Sequence, residues 1–107
     1  MNKIKLGISI ALMIGMFSGT ALSATEIQWW HAFKGRLGTL LAEQVDQFNA
    51  AQNDYKIIQN RKGNYSETLN AGIAAFRAKK HPHILMVFEV GTATMMSAKG
   101  AISLCMR

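Results

Sequence analysis

Five consecutive apolar residues, Ile84-Leu85-Met86-Val87-Phe88, lie between Pro82 and Glu89. An unbroken apolar run of that length reads as a strand covered on both faces, and such strands belong to parallel sheets. Parallel strands need long crossovers, usually helices. The preceding sequence supplies both strands and crossovers. Glu26-Ile27-Gln28-Trp29-Trp30 alternates apolar and polar residues and predicts a first strand. Arg36 to Ala51 carries Leu37, Leu40, Leu41, Val45 and Phe48 at helical spacing. Asn49 to Asp54 breaks that pattern, and Tyr55-Lys56-Ile57-Ile58-Gln59 predicts a second strand.

Gly63 and Asn64 break the chain again. Asn64 with Glu67 three residues on is a capping-box arrangement. The helix it opens bears Leu69, Ile73 and Phe76 on one face, with Arg77, Lys79 and Lys80 at its C-terminal end, where the helix dipole favours cations. Pro82 is expected to end it, and Thr92 or Thr94 to open a further helix near Ala93 to Met96. The expected fold class is therefore α/β, a parallel β-α-β-α-β unit with right-handed crossovers.

The N-terminal residues read as an export signal. Lys3 and Lys5 precede an apolar run from Leu6 to Phe17, and Ala21-Leu22-Ser23 puts small residues at the two positions that a signal peptidase reads. Residues 1–23 are expected to be removed. Ten Lys or Arg then face six Asp or Glu, a charge of +4. The basic residues are scattered rather than striped among aromatics, which argues against nucleic acid as a partner. A small exported domain usually carries disulfides, but Cys105 is the only cysteine of the sequence.

Three groups are expected at the carboxyl ends of the strands, where open α/β sheets bind ligands. These are Trp30-His31, Lys62-Gly63-Asn64-Tyr65 and Glu89-Val90-Gly91-Thr92. Glu89, at the end of an apolar strand, is expected to be partly desolvated and to need hydrogen-bond donors such as ligand hydroxyls. Tyr65 is expected at a helix start, where the positive end of the dipole attracts an anion. The bland alternatives are a Glu89 paired with a cation and a Tyr65 packed over a helix entrance. His31 has no second ligand at metal-binding spacing, and His81 and His83 are expected on the surface. No nucleophile-base pair and no Gly-rich cofactor loop occurs, so neither catalysis nor a cofactor is expected.

The segments Ile27-Gln28-Trp29-Trp30-His31, Asp54-Tyr55-Lys56-Ile57, Lys62-Gly63-Asn64-Tyr65, Leu69 to Arg77 and Val87 to Met96 resemble the family of periplasmic receptors for sn-glycerol-3-phosphate. Those receptors are the solute-binding components of bacterial ABC importers. The resemblance covers residues 24–102. It implies the partial N-terminal lobe of a two-lobed solute-binding protein, with residues 103–107 a divergent tail. It also implies sn-glycerol-3-phosphate or a glycerophosphodiester as ligand, a membrane permease as partner, and Tyr65 and Glu89 as ligand contacts. Family members are much longer, so a truncated and impaired receptor is expected. The alternatives are a small secreted basic protein with its own role, or a fragment with no function. If the export signal is read correctly, N-terminal sequencing of the chain recovered from a bacterial periplasm will begin at Ala24. Retention of Met1 would show that residues 1–23 are not removed.

Overall fold

The computed structural model describes residues 23–103. The export segment expected at 1–23 and the tail at 103–107, with Cys105, lie almost wholly outside the described residues. Six elements follow one another: β1 (Thr25–His31), α1 (Gly35–Ala51), β2 (Tyr55–Arg61), α2 (Tyr65–Arg77), β3 (Ile84–Leu85) and α3 (Glu89–Ser97). The strands are parallel in the order β2-β1-β3. The expected α/β class and parallel β-α-β-α-β order are what the chain adopts. Since β2 and β3 flank β1 on opposite sides, right-handed crossovers put α1 and α2 on opposite faces of the sheet. No helix among the described residues is long and apolar enough to cross a membrane.

β1 pairs with β2 along its whole length, from Thr25 opposite Tyr55 to His31 opposite Arg61. Two polar side chains at the C-terminal end of α1, Asn49 in its last turn and Gln52 just past it, fix where β2 begins. Gln52 accepts the N–H groups of Asp54 (3.0 Å) and Tyr55 (2.8 Å) and donates to the Tyr55 carbonyl at 2.7 Å. The Asn49 amide takes both backbone groups of Ile57. Its Nδ2 donates to the carbonyl (3.0 Å) and its Oδ1 accepts the N–H (2.8 Å). An Asn-Ala-Ala-Gln stretch thus acts as more than a breaker.

β3 is much shorter than the apolar run predicted. Only Ile84 and Leu85 pair with β1, opposite Trp29 and Trp30, and the Met86 N–H adds one bond to the Trp30 carbonyl (2.9 Å). β3 meets β1 near that strand's C-terminal end, so residues beyond Met86 have no strand to pair with. Nor is the run covered on both faces. Ile84 is exposed, and Leu85 to Phe88 are half-buried.

The hydrophobic stripe of α1 is buried only at Leu41 and Val45, while Leu37, Leu40 and Phe48 stay exposed. Three strands make too narrow a sheet to cover the whole stripe. On α2 the innermost residues are Thr68 and Gly72, with Leu69, Ile73 and Phe76 half-buried beside them. α2 lies so close to the sheet that a Cβ on Gly72 would collide with the Leu85 side chain. The helix ends at Arg77, before Pro82. Lys79 adopts the left-handed conformation (φ 56°), and the N–H groups of Ala78, Lys79 and Lys80 return to the last-turn carbonyls.

Gly72→Val should lower stability in urea unfolding by roughly 1–3 kcal/mol, the cost of overpacking a close contact. Adding Leu85→Ala should recover part of that loss. Equal stability of the single variant and the parent would show that α2 does not pack this tightly on β3.

Candidate functional site

The carboxyl end of the sheet is shaped by a turn and a loop. The turn is Lys62-Gly63-Asn64. Its Gly63 has φ 106°, a conformation that a side chain strains, and the Glu67 carboxylate packs where a Cβ would stand. That carboxylate accepts the Asn64 N–H (2.7 Å), while Asn64 Oδ1 accepts the Glu67 N–H (2.9 Å). The capping box expected from the sequence is complete. It sets the direction in which α2 starts and therefore where Tyr65, its first residue, stands.

The turn is also tied to β1. The His31 carbonyl accepts the Lys62 N–H (3.0 Å) and the Thr68 hydroxyl (3.4 Å). The Lys62 ammonium lies 4.1 Å from the centre of the Trp30 ring, a cation–π contact. Thr68 is fully buried, and His31 is 4% exposed with no hydrogen-bond partner for Nδ1. Burial lowers the His31 pKa from its ordinary value. The Arg61 guanidinium adds to that, and the Gln59 side chain opposes it.

The loop is Met86-Val87-Phe88, which carries the chain from β3 into α3. α3 begins at Glu89, earlier than the Ala93–Met96 start predicted, and no side chain caps it. Thr92 does not cap it. Its hydroxyl bonds back to the Phe88 carbonyl at 3.3 Å. Glu89 is accordingly a first-turn helix residue and exposed, not the partly desolvated end of a strand. A carboxylate at that position gains from the positive end of the dipole and needs no partner to offset burial.

Tyr65 and Glu89 line one open concavity of about 400 Å³, together with Met86, Val87 and Phe88. The Tyr65 ring is tilted 54° against Phe88, with 5.8 Å between centroids. Phe88, read from sequence as a buried strand residue, is thus the wall on which Tyr65 leans. An aromatic directly before the carboxylate was the available signal. The concavity can offer a phenol hydroxyl, a solvated carboxylate and an apolar floor, which suits a small polyhydroxyl molecule better than a purely apolar one.

Trp30 and His31 stand at the same edge of the sheet but do not line this concavity. His81 and His83 are exposed at the opposite edge, where the His83 ring accepts the Gln28 N–H (3.0 Å) and His81 packs on Phe76. Two further concavities of about 300 and 320 Å³ lie near Phe76 and Met95; the former meets the first only at Val87, and the latter shares no residue with it. Among the described residues no group of three His, Cys, Asp or Glu could hold a metal ion.

The chain is similar to periplasmic solute-binding proteins, and no protein-family profile matches it. It is 48% identical over 97 residues to the sn-glycerol-3-phosphate-binding periplasmic protein UgpB of Rhizobium meliloti, covering 91% of this chain and 22% of that protein. It is 53% identical over 95 residues to the protein of that name from Yersinia pestis, and 50% identical over 94 residues to that from Brucella abortus. Those matches take in 89% and 88% of this chain, and 21% of each relative. The chain spans about a fifth of the length of the curated relatives that it matches. Identity this high across nearly the whole chain establishes homology, and these relatives are named as binding proteins rather than enzymes.

Asn64→Ala removes one half of the capping box. Thermal or urea unfolding should show a loss of about 1 kcal/mol. An unchanged stability would mean that the turn, not the cap, holds the start of α2.

Proposed function

We propose that this chain is ligand-binding sequence of a periplasmic receptor for sn-glycerol-3-phosphate or a glycerophosphodiester, which hands its cargo to the membrane permease of an ABC importer. One observation carries this reading. Tyr65 and Glu89 come from the starts of two different helices and border the same concavity. Homology to proteins named for that ligand supports it.

In this reading the Glu89 carboxylate accepts hydrogen bonds from glycerol hydroxyls, and the Tyr65 phenol donates to a ligand oxygen. The phosphate lies toward α2, whose positive dipole end favours an anion, and away from Glu89, which repels one. Residues 1–23 direct export and are cleaved, residues 24–102 form part of the receptor's N-terminal lobe, and residues 103–107 diverge from it. The concavity is open on one side, whereas sites that hold small molecules tightly enclose most of their surface. Binding by this chain alone is therefore weak, because few contacts offset the lost freedom of the ligand.

Titration of sn-glycerol-3-phosphate into the labelled chain, followed by NMR, should move the Tyr65 and Glu89 resonances with a Kd of about 1 mM or weaker. Glu89→Ala should abolish that response. Unmoved resonances at saturating ligand would defeat the receptor reading. A micromolar Kd would instead defeat the claim of impaired binding.

A further inference from the structure

We propose that His31 is a positioning residue for the Tyr65 side of the concavity, clamping the start of α2 to the tip of β1 only while its ring is uncharged. The proposal rests on the reading of Tyr65 as a ligand contact and adds a residue to that site which touches no ligand.

The clamp is a single carbonyl with two donors. The His31 C=O holds the Lys62 N–H on one side of the Asn64 cap and the Thr68 hydroxyl on the other. Tyr65 lies between these two anchor points in sequence. Its position therefore follows the position of the His31 backbone. The ring of the same residue is buried, and its Nδ1 has no partner. A neutral ring can carry its proton on Nε2 and leave Nδ1 as a bare acceptor, with no N–H there to satisfy. A charged ring puts an N–H at Nδ1 with nothing to accept it, a costly arrangement in a dry site, and although the Gln59 side chain favours the charged form, burial outweighs it.

The charged groups on neighbouring elements do not relieve this. Arg61, opposite His31 on β2, repels a second positive charge. Lys62 in the turn and Lys34 after β1 carry the same sign. Glu67 on α2 has its carboxylate committed to the Asn64 N–H. Thr68 and the β3 residues Ile84 and Leu85 are uncharged. To carry a proton the ring has to reach water, and moving it drags the carbonyl that holds the turn.

The direction of the pH effect follows. In an opened clamp the ring titrates near the ordinary value of 6.5, while burial keeps it neutral to lower pH in the closed one. Above that value neither form binds the proton and the clamp has its full strength. As pH falls through it the opened form gains the proton first, and the clamp weakens until the closed form titrates too.

Amide hydrogen exchange on the full chain, expressed as protection factors, tests this near pH 7.5 and near pH 5, on either side of the histidine range. Protection at Lys62 and Thr68 should fall roughly threefold or more relative to Ile57, a reference amide held by Asn49. In His31→Gln that relative change should vanish. Thr68→Val should lower Lys62 protection at both pH values while keeping the pH dependence, and it serves if the first variant does not fold. A parent whose relative protection is the same at both pH values overturns the proposal, as does an equal fall in His31→Gln.

A glycerophosphodiester is the ligand probe, since its phosphate keeps one charge across this range. Its effect on Tyr65 should weaken at the lower pH in the parent and not in His31→Gln. Binding that ignores pH while the clamp amides respond would overturn the positioning role. A pH response of the amides with no diester binding at either pH would leave the clamp standing and remove the ligand reading of Tyr65.

Discussion

The ladder of β1 carries this structure. Among the described residues β1 is the only strand bonded along both edges, and every crossover starts or returns beside it. The hydrophobic contribution is small by comparison, because Ala32, Leu41 and Val45 are the buried apolar side chains among the described residues. A core that thin leaves order to hydrogen bonds, and those are concentrated where β1 ends. At that tip Trp30 accepts from Met86, His31 accepts from Lys62 and Thr68, and the Trp30 ring receives the Lys62 ammonium. The turn before α2 and the loop before α3 are both positioned from two adjacent residues of one strand.

That arrangement explains how two side chains distant in sequence come to border one space. Tyr65 is set by the capping box and the ties to His31, and Glu89 by the short run from β3 into α3. Phe88 joins the two sides, since the residue that precedes Glu89 is also the one against which Tyr65 packs. The concavity is thus a product of the parallel topology, in which successive strand ends open on the same edge.

What could be read from the sequence was whatever is decided locally. The capping box at Asn64 and Glu67 needs only four residues, so its pattern was visible. Strand and helix order followed from periodicity for the same reason. The length of β3 was not visible, because pairing depends on where β1 runs out, and an apolar run says nothing of its partner's extent. The misplacement of Glu89 followed directly: with the strand assumed to reach Phe88, the carboxylate was put at its end instead of on a helix. The inward face of α2 was misjudged for a different reason. Periodicity selects large apolar residues, whereas close approach to the sheet selected Thr68 and Gly72. The roles of Asn49 and Gln52 were hidden because a side-chain amide that imitates a strand leaves no pattern in composition.

The Asn49 clasp has a further consequence for the sheet as a whole. By occupying the outward N–H and C=O of Ile57, it imitates a neighbouring chain and seals the flank of β2 at mid-strand. β3 has no such seal among the described residues. Any additional ribbon, whatever its origin, can therefore lengthen this sheet in one direction only, outward past Leu85, so the lateral growth of the lobe is directional before a fourth strand arrives.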